Sequence, residues 1–156
     1  MPLIQDFLSV PSLLMLAAAN ATPVIAAGVL GTRYAAPIDG KLTLGDHQPL
    51  FGPHKTWRGL IAGILVTGVV GSLLDIGFMT GAFFGALALA GDLFSSFIKR
   101  RLGCTSGQSF ALLDQLPEAL LPMLVLRGVL GLEIWTIAGT AVVFTTLDAL
   151  TGRLRP

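Results

Sequence analysis

The segment GDLFSSFIKRR, residues 91–101, has a carboxylate, two hydroxyls and several cations at the end of a long apolar run. Drawn as a helix, it gathers four polar side chains into one arc of about 100°; these are Asp92, Ser95, Ser96 and Lys99. Arg101 falls on the opposite side with Phe94 and Phe97, where we expect its cation to reach lipid headgroups. A carboxylate within a membrane helix is costly and usually marks a functional site, but an Asp–Lys pair that only holds the helices together is the alternative.

Carboxylates also stand near the ends of later apolar segments. Asp114 precedes Pro117 in FALLDQLPEALLP, so it could simply cap a helix that starts at the proline. Glu118 lies one helical turn further on, and Asp148 stands near the end of the last apolar segment. Mg²⁺ prefers carboxylate oxygens together with substrate phosphates. Acidic residues on separate helices, beside clustered cations, therefore predict a divalent metal bound to a polyphosphate.

A polar connection of about 25 residues separates the first two apolar segments, and connections of this length usually carry function. It ends in GPHKTWRG, where Thr56 can cap the next helix and its free N–H groups would lie beside Lys55 and Arg58. This arrangement suits a phosphate. The bland alternative is that both cations mark the cytoplasmic side and Trp57 anchors the membrane interface.

The remaining polar residues give weaker signals. Asn20 stands mid-segment, three residues before Pro23, and packing and substrate contact are equally good explanations of it. His47 and His54 lack metal-ligand spacing and are interpreted as solvated. Cys104 is the single cysteine, which excludes an internal disulfide and a cysteine-built metal site.

The composition identifies the elements that must hold these residues. Of 156 residues, 53% are hydrophobic and 12% are charged, and the mean hydropathy is +0.79, which is typical of an integral membrane protein. A membrane-spanning helix needs about 20 mainly apolar residues. Five segments meet this requirement, with soft limits: 11–31, 57–74, 77–98, 112–132 and 134–151. The predicted fold is one all-α integral membrane domain, residues 1–156: a bundle of about five transmembrane helices with two functional cytoplasmic loops.

Two details of these segments bear on packing. Gly59 with Gly63, and Gly81 with Gly85, follow the G-x-x-x-G spacing that lets helices approach closely. We interpret both pairs as packing sites. Pro117 interrupts the fourth segment, and we expect a new helical stretch to start there.

The cations predict the orientation of the helices. Arg127 lies near the outer end of the fourth segment, and the other nine of the ten cations fall on the opposite side; these are Arg33, Lys41, Lys55, Arg58, Lys99, Arg100, Arg101, Arg153 and Arg155. Because cytoplasmic loops carry the excess of Lys and Arg, that side is cytoplasmic. The prediction is a multi-pass protein of the cytoplasmic membrane, with the N-terminus outside and the C-terminus inside.

Several short motifs occur in order along this topology. They are AN-x-x-P from Asn20, PIDG, FG-x-x-KT-x-RG, GDL-x-x-S-x-x-KRR and LLDQL, and they extend to Glu118. In this order they resemble the CDP-archaeol synthase family of membrane cytidylyltransferases. The last two motifs also look like the signature of bacterial phosphatidate cytidylyltransferases. Pro117 departs from the pattern, since archaeal members tend to have a second Asp after LLDQL, and Glu118 is the candidate substitute. Pro53-His54 departs too, where the family usually has an acidic or small residue.

The resemblance implies a reaction and roles for individual residues. CTP and an isoprenoid ether-lipid phosphate, of the unsaturated archaetidic acid type, would give a CDP-lipid and pyrophosphate with Mg²⁺. Asp92, Lys99 and Asp114 would be catalytic, and the metal ligands would be Asp92, Asp114 and Glu118. Phosphate contacts would come from Lys55, Arg58, Lys99 and Arg100, the nucleotide site would include Asp39, Gly52, Thr56 and Ser96, and Asn20 would lie on the lipid-side cleft. The implied partners are CTP, the lipid phosphate and the bilayer, without nucleic acid and with a homodimer left open.

The chemistry of this reaction agrees with the residue types. A lipid phosphate is already anionic near neutral pH, so the site needs cations and metal rather than a strong general base. Phosphatidate is the alternative acceptor. A non-catalytic membrane scaffold or a small transporter is the alternative class, although a transporter would be expected to have charges at mid-depth and matching halves.

Overall fold

The structure, a computed structural model, describes residues 7–104 and 111–152, with side chains for 7–104 and 115–150. Over these ranges the chain forms six helices and no strand. In chain order they are α1 (Val10–Leu30), α2 (Trp57–Leu73), α3 (Phe78–Arg101), α4 (Ala111–Val125), α5 (Arg127–Leu130) and α6 (Ile134–Gly152). The all-α prediction is confirmed.

The predicted segments correspond to these helices, except the fourth. That segment is divided between α4 and the short α5, with Leu126 between them. The expectation that a helix starts at Pro117 is wrong, because α4 begins at Ala111 and contains both Pro117 and Pro122. A proline inside a helix removes one backbone hydrogen bond, and the extensive packing of α4 against α3 supports the helix through this position. Asp114 therefore lies within α4, and its side chain is outside the described part of the chain.

Helices α1, α2 and α3 pack closely through small residues. A side chain added at Gly81 would place its Cβ 2.6 Å from the Thr67 carbonyl oxygen, and one at Gly63 would lie 2.8 Å from Leu89 Cδ1. A Cβ added at Gly59 would lie 3.0 Å from the Pro23 Cβ of α1. The packing role predicted from the glycine spacing is confirmed, since the helix backbones approach where these residues lack a side chain.

The outside of the bundle is apolar. Met79, Val29 and Leu73 are each 78–80% exposed, which suits a surface surrounded by lipid. Helices α1 and α3 are long and apolar enough to cross a membrane, while α2 and residues Ile134–Leu150 are apolar but shorter.

Candidate active site

The connection between α1 and α2 is a folded loop organised around Asp39. The Asp39 side chain is buried. Its Oδ2 accepts hydrogen bonds from the backbone N–H groups of Phe51 (3.1 Å) and Gly52 (3.0 Å), and its Oδ1 accepts one from Lys41 (3.1 Å). The resemblance assigns Asp39 to the nucleotide site. In the structure its oxygens accept N–H groups of the loop backbone, so Asp39 acts by fixing the conformation of the loop.

The loop hydrogen bonds lower the pKa of Asp39. Burial by itself raises the pKa of this carboxyl, but the N–H groups of Gly52, Phe51 and Lys41 together hold it below its ordinary value of 3.8. The ionised carboxylate therefore stabilises the folded loop at pH values above about 4, and this contribution is lost as the pH falls through the folded pKa.

We expect Asp39→Asn to loosen the loop at neutral pH and to remove its acid transition, because one amide cannot accept all three N–H groups. The fluorescence of Trp57, whose backbone N–H donates to the Ala36 carbonyl at 3.0 Å, measures this in a Trp135→Phe background titrated from pH 7 to pH 3. Asp75→Asn, in the turn between α2 and α3, is the control and should keep the transition. An unchanged transition in the Asp39 variant would contradict the assignment.

Arg101 of α3 binds the part of this loop that contains residues 46–49. Its guanidinium donates to Asp46 Oδ1 (3.0 Å) and to the carbonyls of Gln48 (3.2 Å) and Pro49 (2.8 Å), and it lies over the Phe97 ring. The expectation that Arg101 reaches lipid headgroups is therefore wrong. The side predicted from the helical wheel is right, but the loop covers that side and places a carboxylate and two carbonyl oxygens within reach of the guanidinium.

Arg100 supports the loop at Gly52. The Arg100 side chain is buried, and its Nη1 donates to the Cys104 carbonyl at 2.6 Å. Gly52 has a φ of +105°, and a side chain there would begin 3.5 Å from Arg100 Nε. Only glycine adopts this backbone conformation without strain, so Gly52 lets the loop lie directly on the guanidinium.

The central ion pair of the site joins the loop to α3. Lys55 Nζ lies 2.5 Å from Asp92 Oδ2, and both side chains are about a quarter exposed, at 27% and 28%. The alternative drawn from the sequence is an Asp–Lys pair that holds the helices together, and the Lys55–Asp92 pair has this form, with the lysine supplied by the loop. Ser95 and Ser96 are buried as the helical arc predicts, and Ser95 Oγ donates to the Asp92 carbonyl at 2.9 Å.

A cavity of about 390 Å³ lies on one side of this pair. Its polar wall includes Asn20, Lys55, Thr56, Asp92 and Glu118. Its apolar wall comes mainly from α1, α2 and α3: Ala19, Pro23, Val24, Ala27, Gly59, Leu60, Leu89 and Leu93, with Ile38 and His54 from the loop. Thr56 caps α2 as predicted, accepting from the Gly59 N–H at 3.4 Å. The cavity therefore combines carboxylates and a helix N-terminus with a hydrophobic wall.

A smaller cavity of about 150 Å³ adjoins the first, because Lys55 and His54 line both. Its remaining lining is Phe51, Gly52, Ser96, Lys99 and Arg100. Three side chains that carry positive charge at neutral pH thus surround a small space. This charge suits a polyphosphate.

Glu118 and Asp92 line the larger cavity from facing helices. They are brought together at Gly91, where an added Cβ would lie 2.4 Å from the Pro117 carbonyl oxygen and 2.8 Å from Glu118 Cα. Glu118 is 5% exposed. Two carboxylates that enter one cavity from separate helices are a donor set that fits Mg²⁺.

Only two of the three metal ligands predicted from the sequence, Asp92 and Glu118, have described side chains. Among the described side chains, no group of three or more His, Cys, Asp or Glu residues is arranged around one point. Asp114, the third predicted ligand, lies outside the described side chains.

Two predicted residues have other surroundings. Arg58 lies among the described residues but lines neither cavity; its Nη1 donates to the Arg33 carbonyl in the turn that follows α1. Asn20 lines the larger cavity and also donates from Nδ2 to Asp148 Oδ1 at 3.3 Å. The hydrogen bond to Asp148 agrees with the packing explanation of Asn20, and substrate contact stays a prediction.

His54 is the residue that sequence reasoning missed. It is exposed, in agreement with its interpretation as a solvated loop residue, but it also lines both cavities, which the sequence analysis did not predict. Its position directly before Lys55, in the motif that ends at the start of α2, is the signal that could have indicated a role in anion binding.

Comparison with known proteins shows which family the chain resembles. A family model described as CDP-archaeol synthase matches residues 4–153. A CDP-archaeol synthase of Hyperthermus butylicus is 39% identical over 105 residues, which are 64% of this chain and 60% of the relative. One of Thermococcus onnurineus is 40% identical over 111 residues, 63% of this chain and 61% of the relative. The chain thus spans about 60% of the length of these curated relatives.

The fold has a solved counterpart as well. A structure described as an intramembrane enzyme for archaeal membrane lipids biosynthesis is 32% identical, with a TM-score of 0.77 over 94% of this chain and 92% of that one. This likeness and the long apolar helices α1 and α3 agree that the chain is a membrane protein. Since the family model extends across every element that builds the two cavities, the chain belongs to the CDP-archaeol synthase family.

Proposed function

We propose that this protein transfers the cytidylyl group of CTP to an isoprenoid ether-lipid phosphate, which gives a CDP-lipid and pyrophosphate. The observation that carries the proposal is the pair of adjoining cavities with Lys55 and Asp92 between them. One cavity is small and cationic, and the other has carboxylates and an apolar wall. A soluble polyphosphate and a lipid phosphate would meet at their junction.

The positive charges that line the smaller cavity suit the β- and γ-phosphates of CTP. Lys99, Arg100 and Lys55 would hold the β- and γ-phosphates, with the Ser96 hydroxyl as a further polar contact. These phosphates leave as pyrophosphate, so cations that neutralise them also stabilise the leaving group. Exposed His54 lines both cavities, and a ring N–H of its imidazole could donate a hydrogen bond to a phosphate oxygen.

The lipid phosphate would occupy the larger cavity near the start of α2. The N-terminus of α2 is capped by Thr56, and the positive end of a helix dipole attracts anions. Val24, Ala27 and Leu60 form an apolar wall between α1 and α2, which suits the first part of an isoprenoid chain. The acceptor would thus enter between these helices from the bilayer.

The reaction is a displacement at the α-phosphorus of CTP. An oxygen of the lipid phosphate forms a bond to this phosphorus while the bond to the β-phosphate oxygen breaks, so that pyrophosphate leaves with the electron pair. No proton has to be removed from the attacking phosphate, because it is ionised near neutral pH. Lys55 is held by Asp92 at the junction, where it would reduce the repulsion between the two anions.

Mg²⁺ is the proposed cofactor, and Asp92 and Glu118 fit it as ligands from facing helices, with Asp114 as the further candidate. When bound, the metal would neutralise phosphate oxygens and strengthen pyrophosphate as a leaving group. The carboxylates' own role is to hold a cation at a fixed place in the cavity, because both stand on helices that are packed together at Gly91.

We further propose a multi-pass arrangement in the cytoplasmic membrane, with the N-terminus outside and the two cavities facing the cytoplasm. The asymmetric distribution of Lys and Arg supports this orientation. It would give CTP access from the water and the lipid access from the membrane.

The test is a direct assay. The full chain in mild detergent is incubated with CTP and Mg²⁺, and with either an unsaturated archaetidic-type ether phosphate or phosphatidate, and CDP-lipid is followed by mass spectrometry. We expect product with the ether lipid and none after EDTA is added, with activity restored by excess Mg²⁺. Product from phosphatidate alone would identify a different acceptor. Folded protein that makes no product from either lipid would contradict the proposal.

A further inference from the structure

Asp148 links three helices next to the larger cavity. Its Oδ1 accepts a hydrogen bond from Asn20 Nδ2 of α1 at 3.3 Å, and its Oδ2 accepts one from Gln115 Nε2 of α4 at 2.5 Å. Asp148 itself is on α6, and Gln115 is 5% exposed. Of the three residues, only Asn20 lines the cavity. The roles described above use Asn20 only as a cavity residue and leave Asp148 unassigned.

The Asp148 carboxylate determines which end of the Asn20 amide faces it. An ionised carboxylate only accepts hydrogen bonds, whereas an amide has a donor end and an acceptor end. The nitrogen of Asn20 must therefore face Asp148, and its oxygen Oδ1 must face away from it. Within the described ranges, no group donates a hydrogen bond to this oxygen. Asn20 is thus held so that it offers the cavity an acceptor.

The chemistry of the proposed substrates indicates which of them supplies the donor. An ether-lipid phosphate whose glycerol carries two ether chains has no free hydroxyl, and its ionised phosphate only accepts. The donors belong to the nucleotide, in the exocyclic amino group of cytosine and the ribose hydroxyls. Uracil has a carbonyl where cytosine has the amino group, so a fixed acceptor at that point would separate CTP from UTP.

We propose that Asn20 Oδ1 accepts a hydrogen bond from the cytosine amino group, and that Asp148 is the positioning residue that keeps the amide in this orientation. The proposal rests on the proposed function for the identity of the nucleotide. Ala19 and Leu89 line the cavity beside Asn20, and such apolar side chains suit the face of a pyrimidine. Asn20 is then a nucleotide-specificity residue rather than part of the lipid-side cleft.

Equilibrium binding of CTP and UTP, each with Mg²⁺, to the full chain in detergent tests this without lipid. The wild-type protein should bind CTP at least about tenfold more tightly, the discrimination of one lost hydrogen bond with a buried group left unpaired. In Asp148→Asn the new amide can donate to Asn20 Oδ1, so the Asn20 amide can turn over and offer its nitrogen to the cavity. CTP should then bind more weakly and UTP more tightly, which reduces the preference about tenfold.

Two further variants make the result specific. Asn20→Ala removes the acceptor and should weaken CTP binding while leaving UTP binding within about twofold. Thr146→Val is the matched control, because Thr146 is exposed on α6 and its hydroxyl donates only to the Val142 carbonyl of the same helix. It should keep the full preference for CTP.

Three results would overturn the proposal: a wild-type protein without preference, an unchanged preference in Asp148→Asn and Asn20→Ala, or an equal loss of both nucleotides in folded variants. An equal loss would indicate a contact to the ribose or the phosphates. Failure of the proposed function looks different, since the wild-type protein would then bind CTP selectively and still form no CDP-lipid.

Discussion

Asp92→Asn is expected to lower the rate of CDP-lipid formation by on the order of 10³-fold or more. Asp92 lies at the junction of the two cavities and is bound to Lys55. The amide that replaces it has one neutral oxygen, so it binds a divalent cation poorly and no longer holds the Lys55 ammonium by charge. Initial rates measured at saturating CTP and lipid give the size of the loss.

The same substitution should leave the protein folded. The Asp92 side chain is partly exposed, and a partly exposed ion pair contributes about 1 kcal/mol or less to stability. Asp46→Asn is the matched control, since Asp46 also forms an ion pair with a cation, Arg101, but lies away from both cavities. Activity in Asp92→Asn within tenfold of the wild-type rate would show that this carboxylate is structural, as the alternative drawn from the sequence holds.

Gly91→Ala should both destabilise the protein and reduce its activity. The new Cβ would lie 2.4 Å from the Pro117 carbonyl oxygen and 2.6 Å from its carbonyl carbon, and backbone atoms cannot turn away as a side chain can. Helices α3 and α4 must therefore move apart. Overpacking of this kind costs about 1–3 kcal/mol, and the separation also carries Glu118 away from Asp92, so we expect an activity loss of about 100-fold or more.

Thermal unfolding in detergent and the CDP-lipid assay measure the two effects together. Gly28→Ala is the control, because Gly28 lies within α1 with no atom within 4 Å of an added Cβ. Alanine is a better helix former than glycine by about 1 kcal/mol, so this variant should be as stable as the wild-type protein or more so. Wild-type stability and activity in Gly91→Ala would contradict the close contact of α3 and α4 and the dependence of the site on it.

Several parts of the molecule were predictable because they depend on local pattern. The helices follow from runs of apolar residues bounded by polar connections, and the Thr56 cap follows from its place before α2. The inward side of α3 follows from helical periodicity, and Ser95 and Ser96 are buried accordingly. The α4 boundary was not predictable in this way, because packing against α3 supports a helix through Pro117 that local preference alone would interrupt.

The partners of the charged residues depended on contacts between distant parts of the chain. Arg101 is on the side of α3 that periodicity indicates, but only the folded loop puts Asp46 there. Asp39 was expected to shape the nucleotide site, and only the fold shows that its oxygens accept N–H groups of the loop backbone. Which acceptor a long flexible cation reaches is decided by the path of the loop, and no spacing rule describes that path.

The sequence by itself determined the helical architecture, the membrane character and the set of cations and carboxylates available for chemistry, because apolar runs and side-chain types are local properties. Only the tertiary structure decided that Asp92 pairs with Lys55, that Glu118 and Asp92 line one cavity and that Asp148 accepts a hydrogen bond from the Asn20 amide. These relations join residues far apart in the chain, and they exist because glycine contacts such as Gly91 against Pro117 let the helices pack closely enough for short side chains to meet.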